Sequence, residues 1–170
     1  QRPSHVGRYW DTIADTVGLF AVMYAFGILL NWEITFTFTI ILAILFQYSL
    51  FNHFSIMMRV LGSGDLTSRI DERIQPIAYP WERQKNVNFF HFIYLCFFSW
   101  QDLIISKLTG KGSENLSFEL SISSTLGYGA QSILILALAV SQNLDHLPTL
   151  FLGVNLVLMA LPILYSRLWK

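Results

Sequence analysis

Residues 34–58 read ITFTFTIILAILFQYSLFNHFSIMM, a run that contains no Asp, Glu, Lys or Arg. A helix needs about 20 apolar residues to cross the ~30 Å hydrocarbon core of a membrane, so this run predicts a membrane-spanning helix. Four further apolar runs lie around it, at residues 13–32, 87–108, 122–140 and 147–169. None shows the alternation of a membrane β-strand. The sequence therefore predicts one all-α membrane domain over residues 1–170, a polytopic bundle of about five membrane-embedded helices.

The composition supports a membrane protein and excludes several other classes. Of the 170 residues, 54% are hydrophobic and 13% are charged, whereas soluble domains carry roughly 25% charged residues. The formal net charge is zero, which excludes the basic surface of a nucleic-acid-binding protein. Cys96 is the single cysteine, so neither an internal disulfide nor a Cys-x-x-Cys metal site is available.

Positively charged residues predict the orientation in the membrane. The short polar segment Asn31-Trp32-Glu33 predicts a hairpin between the first two spans, and residues 59–86 form the one long polar loop. Cytoplasmic loops are enriched in Lys and Arg, so the side with more of them is predicted to face the cytoplasm. That side carries Arg2, Arg8, Arg59, Arg69, Arg73, Arg83 and Lys85, and the other carries Lys107, Lys111, Arg167 and Lys170.

Three residues at the entry to the first span follow a helical spacing. Gly7, Asp11 and Asp15 lie at i, i+4 and i+8, which places them on one face of a helix. Two carboxylates one turn apart can bind a hard cation such as Mg²⁺ or Mn²⁺, and a glycine one turn earlier leaves room for a bulky anionic ligand. In the alternative interpretation, the aspartates are structural and interact with the helix dipole near the N-terminus.

Residues 4–15, SHVGRYWDTIAD, resemble the second half of the signature of the CDP-alcohol phosphotransferase family, D-x2-D-G-x2-A-R-x8-G-x3-D-x3-D. The resemblance implies an integral-membrane enzyme of phospholipid or related lipid biosynthesis. Such an enzyme transfers a substituted phosphate from a CDP-linked donor, such as CDP-diacylglycerol, to an alcohol acceptor and releases CMP, with Mg²⁺ or Mn²⁺ as the cofactor. At least one substrate would be a lipid.

The resemblance also implies roles for individual residues. Asp11 would be a metal ligand, Asp15 a metal ligand and the catalytic base, and Gly7 the open position beside the nucleotide. The stretch Arg59-Val60-Leu61-Gly62 is similar to the basic segment after the second span in members that use CDP-diacylglycerol, so Arg59 would bind substrate. The active site would face the cytoplasm. The first half of the signature is expected upstream of Gln1, and residues 1–170 alone are expected to be inactive.

Two other classes of function stay open at this point. The chain is alternatively a non-catalytic membrane subunit of a larger complex, or a small transporter whose acidic pair binds an ion. The expected partners are membrane lipids, with no nucleic acid, and pairing of two copies into a homodimer is left open. Gln101 and Asp102 are either a polar lining or, since Lys107 follows them, an ordinary interfacial end of a span. For His53 and His91, an interfacial hydrogen-bonding role is preferred over a haem or metal ligand role.

Overall fold

The computed structural model describes residues 2–62, 72–109 and 116–168, and all of its regular structure there is helical. The helices are α1 (His5–Leu29), α2 (Ile34–Leu61), α3 (Gln84–Thr109), α4 (Ser117–Ser124), α5 (Tyr128–Val140) and α6 (Asn155–Leu168). A 3₁₀ turn (Leu144–His146) and a π-helical turn (Thr149–Val154) lie between α5 and α6. Five helical stretches are long and apolar enough to cross a membrane. The predicted all-α membrane bundle is confirmed.

The first helix begins earlier than the apolar run that starts at residue 13. It begins at His5 because Ser4 caps it, accepting a hydrogen bond from the Gly7 amide at 2.9 Å. Glu82, from the segment before α3, accepts hydrogen bonds from the Ser4 hydroxyl and the Val6 amide, both at 2.9 Å. These contacts satisfy amide groups that the first turn of a helix otherwise leaves without partners. The Asp11 and Asp15 face is therefore helical from its start.

Helices α1 and α2 form the predicted hairpin. The turn is tight, with Asn31 at φ 53°, and Gly27 packs directly against Thr37. The shared core combines residues of α1 and α2 with two residues near the π-helical turn. The hairpin places the start of α1 and the end of α2 at the same end of the bundle. Of the cations that predicted the orientation, Arg69, Lys111 and Lys170 lie outside the described residues.

The fourth apolar run, predicted as a span over residues 122–140, lies in the stretch Ser117–Val140, which is long and apolar enough to cross a membrane, but it is not one continuous helix. Helix α4 ends at Ser124 and α5 begins at Tyr128. An added Cβ at Gly127, between them, would lie 3.1 Å from ring carbons of Phe51 on α2. The close approach of the Phe51 ring leaves little room for a side chain at that position, which explains why a glycine occupies the break.

Three buried amide side chains join α2, α5 and α6. Gln47 donates to the Phe151 carbonyl of the π-helical turn at 2.9 Å. Its own Oε1 accepts from Gln131 at 2.9 Å and from Asn155 at 3.0 Å. All three amide side chains are at most 1% exposed. Buried polar groups that pair in this way define one helix arrangement, because any other would leave them without partners.

Candidate functional site

A cavity of about 320 Å³ opens between α1, α2 and α3. The predicted residues Asp11 and Asp15 line its α1 wall, and Arg59 lines its α2 wall. The rest of the wall is mixed, with hydroxyl, amide, aromatic and aliphatic side chains. It consists of Arg8, Thr12, Thr16, Leu45, Tyr48, Ser49, Phe51, Asn52, Ile56, Tyr94, Phe98, Asp102 and Tyr128. Three of the four predicted site residues therefore lie around one cavity.

Helix geometry presents the two carboxylates to this cavity together. Asp11 and Asp15 are one turn apart and both are exposed. Between and beside them, Thr12 and Thr16 donate their hydroxyl hydrogens to the helix backbone, at 3.1 Å to the Arg8 carbonyl and at 2.8 Å to the Thr12 carbonyl. The threonine hydroxyls thus donate to the helix backbone, and Asp11 and Asp15 are the acidic side chains that this face presents to the cavity.

Arg8 contributes to the same wall, and its charge is paired. Its guanidinium donates two hydrogen bonds to the Glu72 carboxylate, at 2.7 and 2.6 Å. The Tyr9 hydroxyl donates to the same carboxylate at 3.3 Å. His91 donates from Nε2 to the Glu72 main-chain carbonyl at 2.6 Å. Glu72 is therefore attached to both α1 and α3, and it binds Arg8 at the wall of the cavity.

The segment before α3 holds the start of α1 in place. Trp81 donates from its indole nitrogen to the Pro3 carbonyl at 2.9 Å, and Tyr79 stacks on His5 with ring centroids 4.9 Å apart. Burial of Glu82 acts to raise the pKa of its carboxyl, but the hydrogen bonds from the Val6 amide and the Ser4 hydroxyl outweigh it and lower that pKa. An ionised Glu82 thus fixes the helix turn that precedes Asp11.

Gly7 lies apart from the other predicted site residues. It is exposed in the first turn of α1, and the wall of the cavity does not include it. An added Cβ would meet only the Ser4 side chain, at 3.3 Å. A side chain at position 7 would therefore crowd the Ser4 cap, and the predicted role of Gly7 beside a nucleotide stays a prediction.

Asp11 and Asp15 are the side chains of this cavity that were predicted to hold a divalent metal ion. Among the described residues, no group of three or more His, Cys, Asp or Glu side chains is arranged to hold a metal ion. Mg²⁺ commonly keeps several waters and binds through one or two carboxylates together with substrate phosphates. Asp11 and Asp15 fit that mode, in which a phosphate-bearing substrate supplies the remaining ligands. Mg²⁺ and Mn²⁺ stay predictions.

The structure adds Asp102 to the candidate site, a residue for which the sequence leaves a polar lining and a span end as alternatives. Asp102 lies on the cavity wall opposite α1. Its neighbour Gln101 is 1% exposed and accepts a hydrogen bond from Ser49 of α2 at 2.7 Å. A helical pattern in the sequence does carry this signal, because Ser99, Asp102 and Ser106 follow at i, i+3 and i+7 and so lie on one face of the helix.

Comparison of the chain with protein-family models, with curated proteins and with solved structures gives no match. The fold and the cavity themselves define the class: a helical membrane protein with an acidic, arginine-flanked cavity between its first three helices. Ligand sites in helical bundles commonly lie between helices and are formed by side chains of several of them.

Proposed function

We propose that this chain carries part of the active site of a membrane CDP-alcohol phosphotransferase, which transfers a substituted phosphate from a CDP-linked donor to an alcohol with release of CMP. One observation carries the proposal: the aspartates of the Gly7-x3-Asp11-x3-Asp15 motif line a cavity of a helical membrane bundle with Arg59 across from them. Acidic residues at this position of an apolar helix are costly unless they serve a function.

The reaction requires a base and a stabiliser of phosphate charge. The alcohol oxygen attacks the donor phosphorus, the bond from phosphorus to the CMP oxygen breaks, and the alcohol proton passes to a base. Asp15 is the proposed base, since its carboxylate faces the cavity. Asp11 and Asp15 together would hold the divalent ion, which supplies charge neutralisation to the pyrophosphate.

Arg59 is the proposed contact for a substrate phosphate. It lies near the end of α2, on the wall across from the aspartates. A guanidinium binds phosphate oxygens through two parallel hydrogen bonds. Arg8 lines the same cavity, but its guanidinium is engaged by Glu72, so its proposed task is to hold the cavity wall together.

The test is CMP release by membranes that contain the full-length protein, supplied with CDP-diacylglycerol, MgCl₂ and a panel of alcohols. Asp15→Asn is expected to lower the rate about a hundredfold or more, the usual contribution of a general base. Asp145→Asn is the matched control, because Asp145 is exposed in the 3₁₀ turn away from the cavity. Chelation of divalent ions should abolish the wild-type rate.

Two outcomes would contradict the proposal. Near-normal turnover by Asp15→Asn would remove Asp15 from the base role. If the wild-type protein releases no CMP with any of the alcohols, the non-catalytic subunit or the transporter is favoured. If Mg²⁺ raises the unfolding temperature of that protein although no CMP is released, the transporter is favoured of the two.

A further inference from the structure

Arg8 is the cationic side chain closest in sequence to the acidic pair of α1. It precedes Asp11 by three residues, and both side chains line the cavity between α1, α2 and α3. An arginine and an aspartate at this spacing are neighbours on a helix surface, where they commonly form an ion pair. Here the salt bridge of Arg8 is with Glu72 instead. Neither Asp11 nor Asp15 makes a salt bridge with a described residue.

Glu72 is held in place from several sides while it binds Arg8. Its main-chain carbonyl accepts a hydrogen bond from His91 of α3 at 2.6 Å, and its carboxylate accepts one from the Tyr9 hydroxyl at 3.3 Å. His91 and Tyr9 are 5% and 1% exposed. The guanidinium of Arg8 also lies 4.6 Å from the centre of the Tyr9 ring, a distance at which a cation is attracted to an aromatic face. The structure thus provides a defined site for the arginine.

This pairing decides which charges α1 presents to the cavity. Because Glu72 neutralises Arg8, the carboxylates of Asp11 and Asp15 face the cavity without a cation from their own helix. The Cβ atoms of residues three apart on a helix are about 5–6 Å from each other. Rotation about the side-chain bonds of Arg8 would therefore be enough to bring its guanidinium to Asp11. In that position it would compete with a divalent cation for the same carboxylate.

We propose that Glu72 is a positioning residue of the acidic site: it binds Arg8 and so keeps the guanidinium away from Asp11 and Asp15. Both carboxylates then stay available to a divalent cation. The inference rests on the proposed function for the use that the cation has in phosphate transfer. It gives the segment before α3 a task beyond holding the start of α1, because one carboxylate of that segment sets the charge of a site on another helix.

The effect of removing each partner separates this role from a purely structural one. If the pair only held α1 in place, loss of either partner would disturb the acidic site to a similar extent. If Glu72 acts by holding a competing charge, its loss weakens cation binding. Loss of Arg8 does not weaken it, because the competitor is removed. The two single variants should therefore differ, and the double variant should resemble the wild type.

Mn²⁺ binding to the purified full-length protein measures this difference without turnover. The probe is MnCl₂ alone, and the electron paramagnetic resonance signal reports the free ion. Glu72→Gln is expected to lower the Mn²⁺ affinity about tenfold, since a nearby opposite charge changes the proton affinity of a carboxylate by about tenfold or more. Arg8→Gln and Arg8→Gln/Glu72→Gln should bind Mn²⁺ within about twofold of the wild type, or more tightly. Glu33→Gln is the matched control, because Glu33 is exposed in the turn at the other end of α1.

Thiol labelling measures the charge of the cavity wall without a metal ion. Cys96→Ser removes the one cysteine of this chain, and Thr12→Cys then places a thiol on the cavity wall, one turn from Arg8 and one turn from Asp15. The protein with threonine at position 12 gives the background rate. A cationic methanethiosulfonate should label Thr12→Cys faster than an anionic one. The ratio of the two rates should fall severalfold with Glu72→Gln and recover when Arg8→Gln is added.

Each outcome bears on one of the two proposals. The inference is overturned if the wild type binds no Mn²⁺, if Glu72→Gln keeps the wild-type affinity or labelling ratio, or if Arg8→Gln loses as much affinity as Glu72→Gln. If Glu72→Gln fails to fold, the double variant still provides the test, and a tenfold loss of Mn²⁺ affinity there contradicts the inference. If Mn²⁺ binding and labelling follow the expected pattern but the wild type releases no CMP, the proposed function alone fails.

Discussion

Gly27 of α1 lies so close to Thr37 of α2 that a Cβ atom added to Gly27 would be 2.5 Å from the Thr37 hydroxyl oxygen. The Thr37 side chain cannot easily move, since it is 2% exposed and its hydroxyl donates to the Glu33 carbonyl at 3.2 Å. Small residues allow helix backbones to approach closely in membrane proteins. This contact therefore sets the spacing of the hairpin on which the acidic cavity is built.

The first prediction concerns this contact. Gly27→Ala is expected to destabilise the protein by about 1–3 kcal/mol, the usual cost of overpacking a core. Gly18→Ala is the control, because nothing lies within 4 Å of the added Cβ there and alanine in a helix is favoured by about 0.5–1 kcal/mol over glycine. In detergent, the unfolding temperature of Gly27→Ala should lie below that of the wild type, and the unfolding temperature of Gly18→Ala should lie above it. Equal stability of both would refute the close approach.

The second prediction concerns the pair Arg8 and Glu72. Their side chains are 20% and 7% exposed, so Glu72→Gln leaves a largely buried guanidinium without its counter-ion. The expected loss is about 3 kcal/mol, at the lower end of the range for a broken buried pair since Arg8 keeps some contact with water. The double variant Arg8→Met/Glu72→Met should recover part of this loss. Arg83→Gln is the control, because Arg83 is exposed. A similar loss of stability in Arg83→Gln would contradict the predicted contribution of the Arg8–Glu72 pair.

A third prediction follows from Glu82 and concerns pH. The pKa of its carboxyl in the folded protein is lower than its ordinary value of 4.5. Its contribution to stability is therefore fully present above the unfolded-state pKa and is lost as the pH falls through the folded-state pKa. Below about pH 4.5 the wild-type unfolding temperature should fall more steeply than that of Glu82→Gln, which cannot ionise. If the unfolding temperatures of the wild type and Glu82→Gln fall in parallel as the pH is lowered, the lowered pKa of the Glu82 carboxyl is contradicted.

The fourth prediction tests the buried amides. Gln47→Leu removes the acceptor of Gln131 and Asn155 and the donor to the Phe151 carbonyl. Each buried group left without a partner costs about 1–3 kcal/mol, so this single change should be among the most destabilising in the chain. The triple variant with leucine at all three amide positions should be more stable than Gln47→Leu alone. A triple variant that is less stable would show that the amides do not act as one cluster.

The apolar pattern predicts the long helices well and their ends poorly. The run at residues 34–58 lies within α2, Ile34–Leu61, because a helix in hydrocarbon satisfies its own backbone groups. The start of α1 lies outside the apolar run and depends on the Ser4 cap together with Glu82, which reaches Ser4 and Val6 from a distant part of the chain. The break between α4 and α5 depends on the ring of Phe51 packed against Gly127. Neither contact leaves a periodic signal in the sequence.

The candidate site also combines residues that the sequence predicts with residues whose position depends on long-range packing. Asp11 and Asp15 are predictable as neighbours because both lie on one helix, where spacing alone determines which side chains are adjacent. The sequence leaves Asp102 open between a polar lining and a span end, because its position on the cavity wall depends on how α3 packs against α1 and α2. Local spacing identifies the polar face of α3 that carries Ser99, Asp102 and Ser106, but it contains no information about which helix lies opposite that face.

The short helix α4 has a consequence for how the protein is assembled. It spans Ser117–Ser124 and is therefore about 12 Å long, which is less than half the thickness of the hydrocarbon core. The Glu119 side chain of this helix is fully buried. Its neighbours are α2 and α6, and α6 is the last helix of the described chain to leave the ribosome. Because α6 follows α4 in the chain, we expect the Glu119 carboxylate to be enclosed only after α6 has been synthesised and has packed against α4.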